Sequence, residues 1–156
     1  MNYDLVIIGG GPAGITAGIY AARKDIKTLI ITKDFLGQTG KAATVENWPG
    51  IQKTTGLELM QSFRDHVKSY SIDVLEGESV MVLNKRDSLF ILKTSKAKEI
   101  KSKSVIISSG KNPRPLKIPG ENEFLGKGVV YCAVCDAPLF AGKNVAIIGG
   151  GNAGFE

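Results

Sequence analysis

The pattern Gly-x-Gly-x-x-Gly occurs twice in this chain, as Gly9–Gly14 and as Gly149–Gly154. Each copy directly follows a short apolar run, Leu5–Ile8 and Val145–Ile148. A lone glycine pattern is weak, but strand, glycine turn and helix in that order form the dinucleotide-binding fingerprint. The chemistry needs a distinct property at each glycine. Gly9 permits a tight turn, Gly11 lets the backbone approach a pyrophosphate, and Gly14 lets the helix sit close to the strand. The free N–H groups at the helix start attract phosphate, and Pro12 suits a first-turn position where its missing N–H costs little. Ala13 stands beside it in the same turn. The second copy supplies Gly149, Gly151, Asn152 and Gly154 to the same roles. Two loops imply two nucleotides, for instance a flavin dinucleotide and a nicotinamide dinucleotide. An acidic residue expected at the end of the second strand is replaced by Thr32 and Lys33, with Asp34 just beyond. That argues against an ordinary NAD-type ribose clamp.

Four apolar runs, Leu5–Gly9, Thr28–Thr32, Val105–Ser108 and Val145–Ile148, read as strands buried on both faces and imply a parallel sheet covered by helices. Pro12–Arg23 reads as a helix, which completes a βαβ unit. Leu57–Tyr70 reads as a second helix, with Thr55 and Glu58 at capping-box spacing and Met60, Phe63, Val67 and Tyr70 on one face. From Ile72 to about Lys103 short runs alternate with polar turns, and Ile72–Leu75, Val80–Leu83 and Leu89–Thr94 read as an antiparallel meander. Lys93–Lys103 reads as a polar hairpin. The prolines of Asn112–Pro115 and Pro119-Gly120 mark a boundary. The expected class is therefore α/β: a Rossmann-like domain over residues 1–112, with parallel sheet, helices and a β-meander. The start of a second Rossmann-like domain follows over residues 113–156.

The chain has 156 residues, 43% hydrophobic and 22% charged, which suits a globular fold. Its charge of +5 comes from scattered Lys and Arg, which reads as a solvated surface. No recognition helix or aromatic platform for nucleic acid is visible. No run is long enough to span a bilayer, and the first apolar run lacks the length and basic leader of a signal peptide. The only two cysteines form Cys132-Ala133-Val134-Cys135, followed by Asp136. Zinc binding needs about four ligands, and only His66, far away in sequence, could join them; no metal site is expected. Inert buried thiols, a structural disulfide and a reversible dithiol are the other readings of such a pair. A structural bond over so short a loop would add only about 2 kcal/mol. The reversible reading draws on the tendency of CxxC spacing to lower one thiol pKa and on Asp136 as a proton relay. His66 reads as an exposed helix residue.

These segments together resemble the low-molecular-weight thioredoxin reductases. The likeness rests on Gly9–Gly14, Gly37-Gln38, Val45–Gly50, Ser109-Gly110, Gly128-Val129, Cys132–Asp136 and Gly149–Gly151. The flavoprotein component of alkyl hydroperoxide reductase is similar in the same segments. The resemblance implies that residues 1–112 are the N-terminal part of an FAD-binding domain and residues 113–156 the start of an NAD(P)H-binding domain carrying the CxxC. FAD would lie along the first glycine loop, beside Thr32, Lys33, Asp34, Gly37 and Gln38. Asn47 would sit near the isoalloxazine, and Ser109-Gly110 would stand where the family usually has Thr-Gly. NADPH would reduce the flavin, and the flavin would reduce the Cys132–Cys135 disulfide. Cys135 would face the flavin, Cys132 would attack the disulfide of thioredoxin or a similar CxxC protein, and Asp136 would be the acid. A cytoplasmic homodimer is implied. Ala153, where the family usually has a hydroxyl residue, and Ser108 and Lys111, where small apolar residues are common, depart from its pattern.

Family members are about twice as long, a two-domain size, and their FAD domain closes with a later segment. The chain is therefore expected to be a fragment that binds FAD weakly and lacks NADPH-dependent turnover alone. The alternatives are the flavoprotein component of a peroxide-reducing system and a truncated, non-catalytic nucleotide-binding module.

Overall fold

Apolar runs whose side chains are buried on both faces form the centre of the first unit. The computed structural model describes residues 2–155, without the side chains of Val134, Cys135 and Ala153. The chain divides into two compact units, Met1–Lys111 and Asn112–Glu156.

In the first unit the strands are β1 (Asn2–Ile8), β2 (Thr28–Thr32), β3 (Asp73–Glu76), β4 (Val80–Arg86), β5 (Leu89–Thr94) and β6 (Glu99–Ile107). They form one six-stranded sheet in the order β3-β2-β1-β6-β5-β4. The strands from β3 to β6 in that order pair in parallel, while β6, β5 and β4 pair antiparallel. The mixed α/β class expected from the sequence is thus the observed one.

Helix α1 (Pro12–Ala22) crosses from β1 to β2, and helix α2 (Gly56–Lys68) lies between β2 and β3. The capping box of α2 is present: Glu58 N–H donates to Thr55 Oγ1 at 3.2 Å, and Thr55 N–H donates to Glu58 Oε2 at 3.0 Å. Leu59, Met60 and Val67 are its buried residues along with Gly56. A Cβ on Gly56 would stand 1.9 Å from Thr39 O, so the helix start abuts the 3₁₀ turn Thr39–Lys41.

The pleat sorts apolar side chains onto two faces. Ile7 and Ile30 pack with Ile15, Phe35, Met60 and Val67 on the helix face. Val6, Leu29 and Ile31 pack with Leu92 and Ile100 on the other. Each such side chain stabilises the fold by roughly 1.5–3 kcal/mol when fully buried.

Three sequence expectations need correction. The pattern places Ile72–Leu75 in the meander, but Asp73–Glu76 pairs in parallel with β2, Leu29 opposite Asp73 and Thr32 opposite Glu76. The helix α2 supplies the crossover that a parallel connection requires. The polar hairpin read over Lys93–Lys103 is present, with Lys93 of β5 opposite Glu99 of β6, but its second arm does not end there: it runs on through the apolar run at Val105 as one strand, β6. Residues 99–102 of β6 pair antiparallel with β5 on one side, and residues from Lys101 to Ile107 pair in parallel with β1 on the other. Val145–Ile148 is not a strand: Val145, Ile147 and Ile148 are 62%, 68% and 69% exposed. A β-run needs a partner to satisfy its backbone, and among the described residues none pairs with it.

The second unit holds short helices α3 (Glu121–Phe124), α4 (Ala133–Asp136) and α5 (Asn152–Phe155), with a 3₁₀ turn at Ala137–Phe140. Among the described residues no helix is long and apolar enough to cross a membrane.

Candidate functional site: a glycine cradle and a cystine

The carboxyl ends of β1, β2 and β6 meet at Gly9–Gly14. Gly9 has φ +115°, and a Cβ there would stand 2.2 Å from Ser108 O, so only glycine fits. Its N–H donates to Ile31 O at 2.9 Å, while Ser108 N–H donates to Ile8 O at 2.9 Å. The turn is thereby tied to both flanking strands. Gly10 N–H donates to Thr32 Oγ1 at 3.0 Å. At Gly14 a Cβ would lie 1.9 Å from Gly9 O, the close helix–strand approach expected of the third glycine.

Gly11 differs from these neighbours. It is the N-cap of α1, its own Cβ would meet nothing within 4 Å, no side chain caps the helix, and no acidic residue stands in the first turn. Pro12 follows as the first helical residue and Ala13 is exposed. The result is an open helix start with uncovered donors, the electrostatics that favour an anion such as phosphate.

Thr32 is buried, 5% exposed, and its hydroxyl donates to Asp34 O while accepting from Gly10. It therefore shapes the turn. Asp34 Oδ1 accepts from Leu36 N–H at 2.9 Å and Gly37 N–H at 3.0 Å, which fixes the loop after β2. Lys33 and Gly37 are exposed on that loop. Gln38 Nε2 donates to Lys111 O at 3.0 Å. This bond joins the loop to the segment after Ser109 and Gly110, both exposed.

Asn47 is exposed in a turn closed by bridges Val45–Thr54 and Trp48–Ile51. Trp48 packs against Phe63 of α2 with ring centroids 5.0 Å apart. The turn is thus anchored to the helix by its aromatic residue.

In the sequence Ser108 stands out only as a departure from the family pattern. Its hydroxyl donates to Ile8 O at 3.0 Å, so it reinforces the cradle. A small hydroxyl residue at the end of an apolar strand is the only signal of that role.

In the second unit Cys132 is disulfide-bonded, and none of the described cysteines is free. The Cys135 side chain, expected as the flavin-facing sulfur, lies outside the described residues, as does the side chain of Ala153. Cys132 O accepts from Asp136 N–H at 3.0 Å, which holds the expected acid in the turn that leaves the cystine.

Gly149–Gly154 repeats the local geometry of the first loop. Gly149 has φ +112°. A Cβ on Gly154 would stand 2.6 Å from Gly149 O, and one on Gly151 would meet nothing within 4 Å. Asn152 opens α5, and Gly154 N–H donates to Gly151 O at 2.8 Å. The glycine spacing forms this turn even without a paired strand before it.

Comparison with known proteins agrees with this geometry. The family profile described as pyridine nucleotide-disulphide oxidoreductase matches residues 3–156. An NADH dehydrogenase of Bacillus subtilis (strain 168) is 46% identical over 154 residues, covering 99% of this chain and 30% of that protein. A component of the alkyl hydroperoxide reductase of Staphylococcus epidermidis is 42% identical, with 99% of this chain and 30% of that protein covered. Among solved structures, thioredoxin reductase from Streptococcus pyogenes MGAS5005 superposes with a TM-score of 0.79 at 34% identity, over 89% of this chain and 45% of that one. Thioredoxin reductase from T. acidophilum gives 0.73 at 40% identity, over 98% and 50%. This chain therefore spans about 30% of the length of the curated relatives it matches.

Proposed function

Because this chain belongs to the pyridine nucleotide-disulphide oxidoreductase family, we propose that it forms part of a thioredoxin-disulfide reductase. Electrons would pass from NADPH through FAD to the Cys132–Cys135 disulfide and on to thioredoxin. The observation that carries this reading is the cystine at Cys132, placed in sequence between two glycine turns of like geometry.

The residues fit the dinucleotides. Gly9, Gly11, Pro12, Ala13 and Gly14 would hold the FAD pyrophosphate at the open start of α1, in the space that a Cβ on Gly11 would enter. The loop of Thr32, Lys33, Asp34, Gly37 and Gln38, with Asn47, Ser109 and Gly110, would line the rest of the FAD site. Gly149, Gly151, Asn152 and Gly154 would take the NADPH pyrophosphate in the same manner. On this reading residues 1–112 belong to the FAD domain and 113–156 open the NAD(P)H domain. Bound FAD supplies a two-electron carrier between nicotinamide and disulfide.

The chain's own chemistry is thiol–disulfide exchange. Two electrons and two protons open the cystine to two thiols. The Cys132 thiolate attacks one sulfur of the thioredoxin disulfide, displacing the other as a thiolate and forming a mixed disulfide. The Cys135 sulfur then attacks Cys132 of that mixed disulfide, which closes the cystine again and releases reduced thioredoxin. Asp136, held beside the pair, would give and take the protons.

The alkyl hydroperoxide reductase relatives favour a second reading, in which the same dithiol serves a peroxide-reducing partner. One assay separates them. The protein carrying this chain is loaded with FAD and given NADPH or NADH together with oxidised thioredoxin or the oxidised peroxidase. Nicotinamide oxidation that needs thioredoxin and vanishes in Cys132→Ser supports the first reading. Dependence on the peroxidase alone supports the second, and oxidation that is equal in Cys132→Ser contradicts both.

A further inference from the structure

Glu121 is a carboxylate only 4% exposed, and the exchange chemistry above does not use it. A buried carboxylate is tolerated where hydrogen bonds satisfy its oxygens, and here they do. Oε1 accepts from Leu116 N–H at 2.8 Å and from the Tyr131 hydroxyl at 2.5 Å, and Oε2 accepts from Lys117 N–H at 2.6 Å. These donors hold the carboxyl below the usual range, the Tyr131 hydroxyl foremost.

The donors come from two stretches of chain. Leu116 and Lys117 precede α3, and Lys117 stands at φ +61°, a conformation uncommon outside glycine. Tyr131 follows α3 and directly precedes Cys132. The return between them is also closed: Val129 N–H donates to Phe124 O at 3.0 Å, and Gly126 N–H donates to Val129 O at 2.9 Å. The backbone that enters the cystine is thus fastened at Val129 and again at Tyr131.

We propose that Glu121 and Tyr131 are positioning residues that set the redox equilibrium of the Cys132 disulfide, a role that rests on the reversible-dithiol reading above. When the S–S bond opens, a free loop gains conformational freedom, and that gain favours the dithiol. The Tyr131 tether denies Cys132 part of that freedom. It keeps the sulfur close to its reclosing position and makes the disulfide harder to reduce.

The test equilibrates the chain with graded mixtures of reduced and oxidised dithiothreitol. Thiols are then trapped by alkylation and counted by mass. The wild-type disulfide opens and recloses along one curve. Tyr131→Phe shifts the equilibrium about threefold to tenfold toward the dithiol, tenfold being about 30 mV. Glu121→Gln shifts it in the same direction, and Tyr20→Phe, at a tyrosine 66% exposed in the other unit, leaves it unchanged. If Tyr131→Phe does not fold, Glu121→Gln decides. Folded variants within about twofold of wild type overturn the proposal, as does loss of folding in both, which would make the pair a fold determinant instead. A wild-type disulfide that never opens reversibly sinks the dithiol reading itself, a result distinct from unshifted variants.

Discussion

The buried amide of Gly10 donates to the Thr32 hydroxyl at 3.0 Å, so the last residue of β2 holds the glycine turn after β1. The same hydroxyl donates onward to Asp34 O. One side chain thereby fixes two loops at the carboxyl edge of the sheet.

Thr32→Val keeps the shape and removes the hydroxyl. It leaves the Gly10 N–H buried without a partner and destabilises the chain by about 1–3 kcal/mol. Thr32→Ser restores most of the loss. Urea denaturation midpoints of the three proteins provide the check.

The glycines separate packing from ligand approach. Gly14→Ala drives a methyl to 1.9 Å from Gly9 O, and overpacking of this kind costs about 1–3 kcal/mol or more. Gly11→Ala meets no protein atom within 4 Å and changes stability by no more than about 1 kcal/mol, the scale of an N-cap exchange. Its cost falls on FAD affinity, which drops at least about tenfold, or 1.4 kcal/mol. Thermal melts of the apo chain and fluorescence titration with FAD read the two effects separately. Equal FAD affinity in Gly11→Ala and wild type would contradict the assignment of the cradle.

Acid pH tests the start of α2. The Thr55 backbone N–H, then the Thr55 and Thr54 hydroxyls, hold the Glu58 carboxyl below its ordinary 4.5. A carboxyl depressed in the folded state stabilises the fold above its unfolded pKa. That contribution is lost as pH falls from about 4.5 through the depressed folded value. Thr55→Ala removes the cap, at about 1 kcal/mol near neutral pH. It also flattens the part of the acid limb that the Thr55 hydroxyl lends to Glu58, while the backbone N–H of residue 55 remains. Stability measured from about pH 7 down to about pH 3 in both proteins shows whether the two curves converge.

Tyr131 carries a spectroscopic mark of its contact. Its hydrogen bond to Glu121, then burial, raise the phenol above the ordinary 10.0. Ultraviolet titration of the folded chain should show a late-ionising tyrosine that is absent from Tyr131→Phe and moves back toward 10.0 in Glu121→Gln.

Much of the first unit is legible locally. The runs at Leu5, Thr28 and Val105, the helix at Pro12 and the Thr55–Glu58 cap all follow from short-range pattern. So do the separate duties of Gly11 and Gly14, which rest on backbone only a few residues away, whereas the atom that excludes a side chain at Gly9 is Ser108 O, distant in sequence. What is not legible depends on partners distant in sequence. Asp73–Glu76 is parallel because β2 offers an edge, and β6 lies between β1 and β5, parallel to one and antiparallel to the other. Val145–Ile148 has strand composition but no described neighbour to pair with. Thr32 sits where a ribose clamp is expected, yet its hydroxyl serves Gly10. Nothing in the order of residues 116–131 announces that Glu121 is buried and grips Tyr131, since its three donors converge only in the folded unit.

On the proposed function, the cystine at Cys132 would accept electrons delivered through a flavin held at the glycine cradle. Anaerobic dithionite titration of the FAD-loaded protein, followed at the flavin absorbance and by thiol counting, measures this directly. A disulfide is a two-electron couple, so the wild type should consume about two more electrons per chain than Cys132→Ser and yield a pair of thiols. Identical electron uptake by the two proteins, with the cystine still closed when the flavin is fully reduced, would contradict the account.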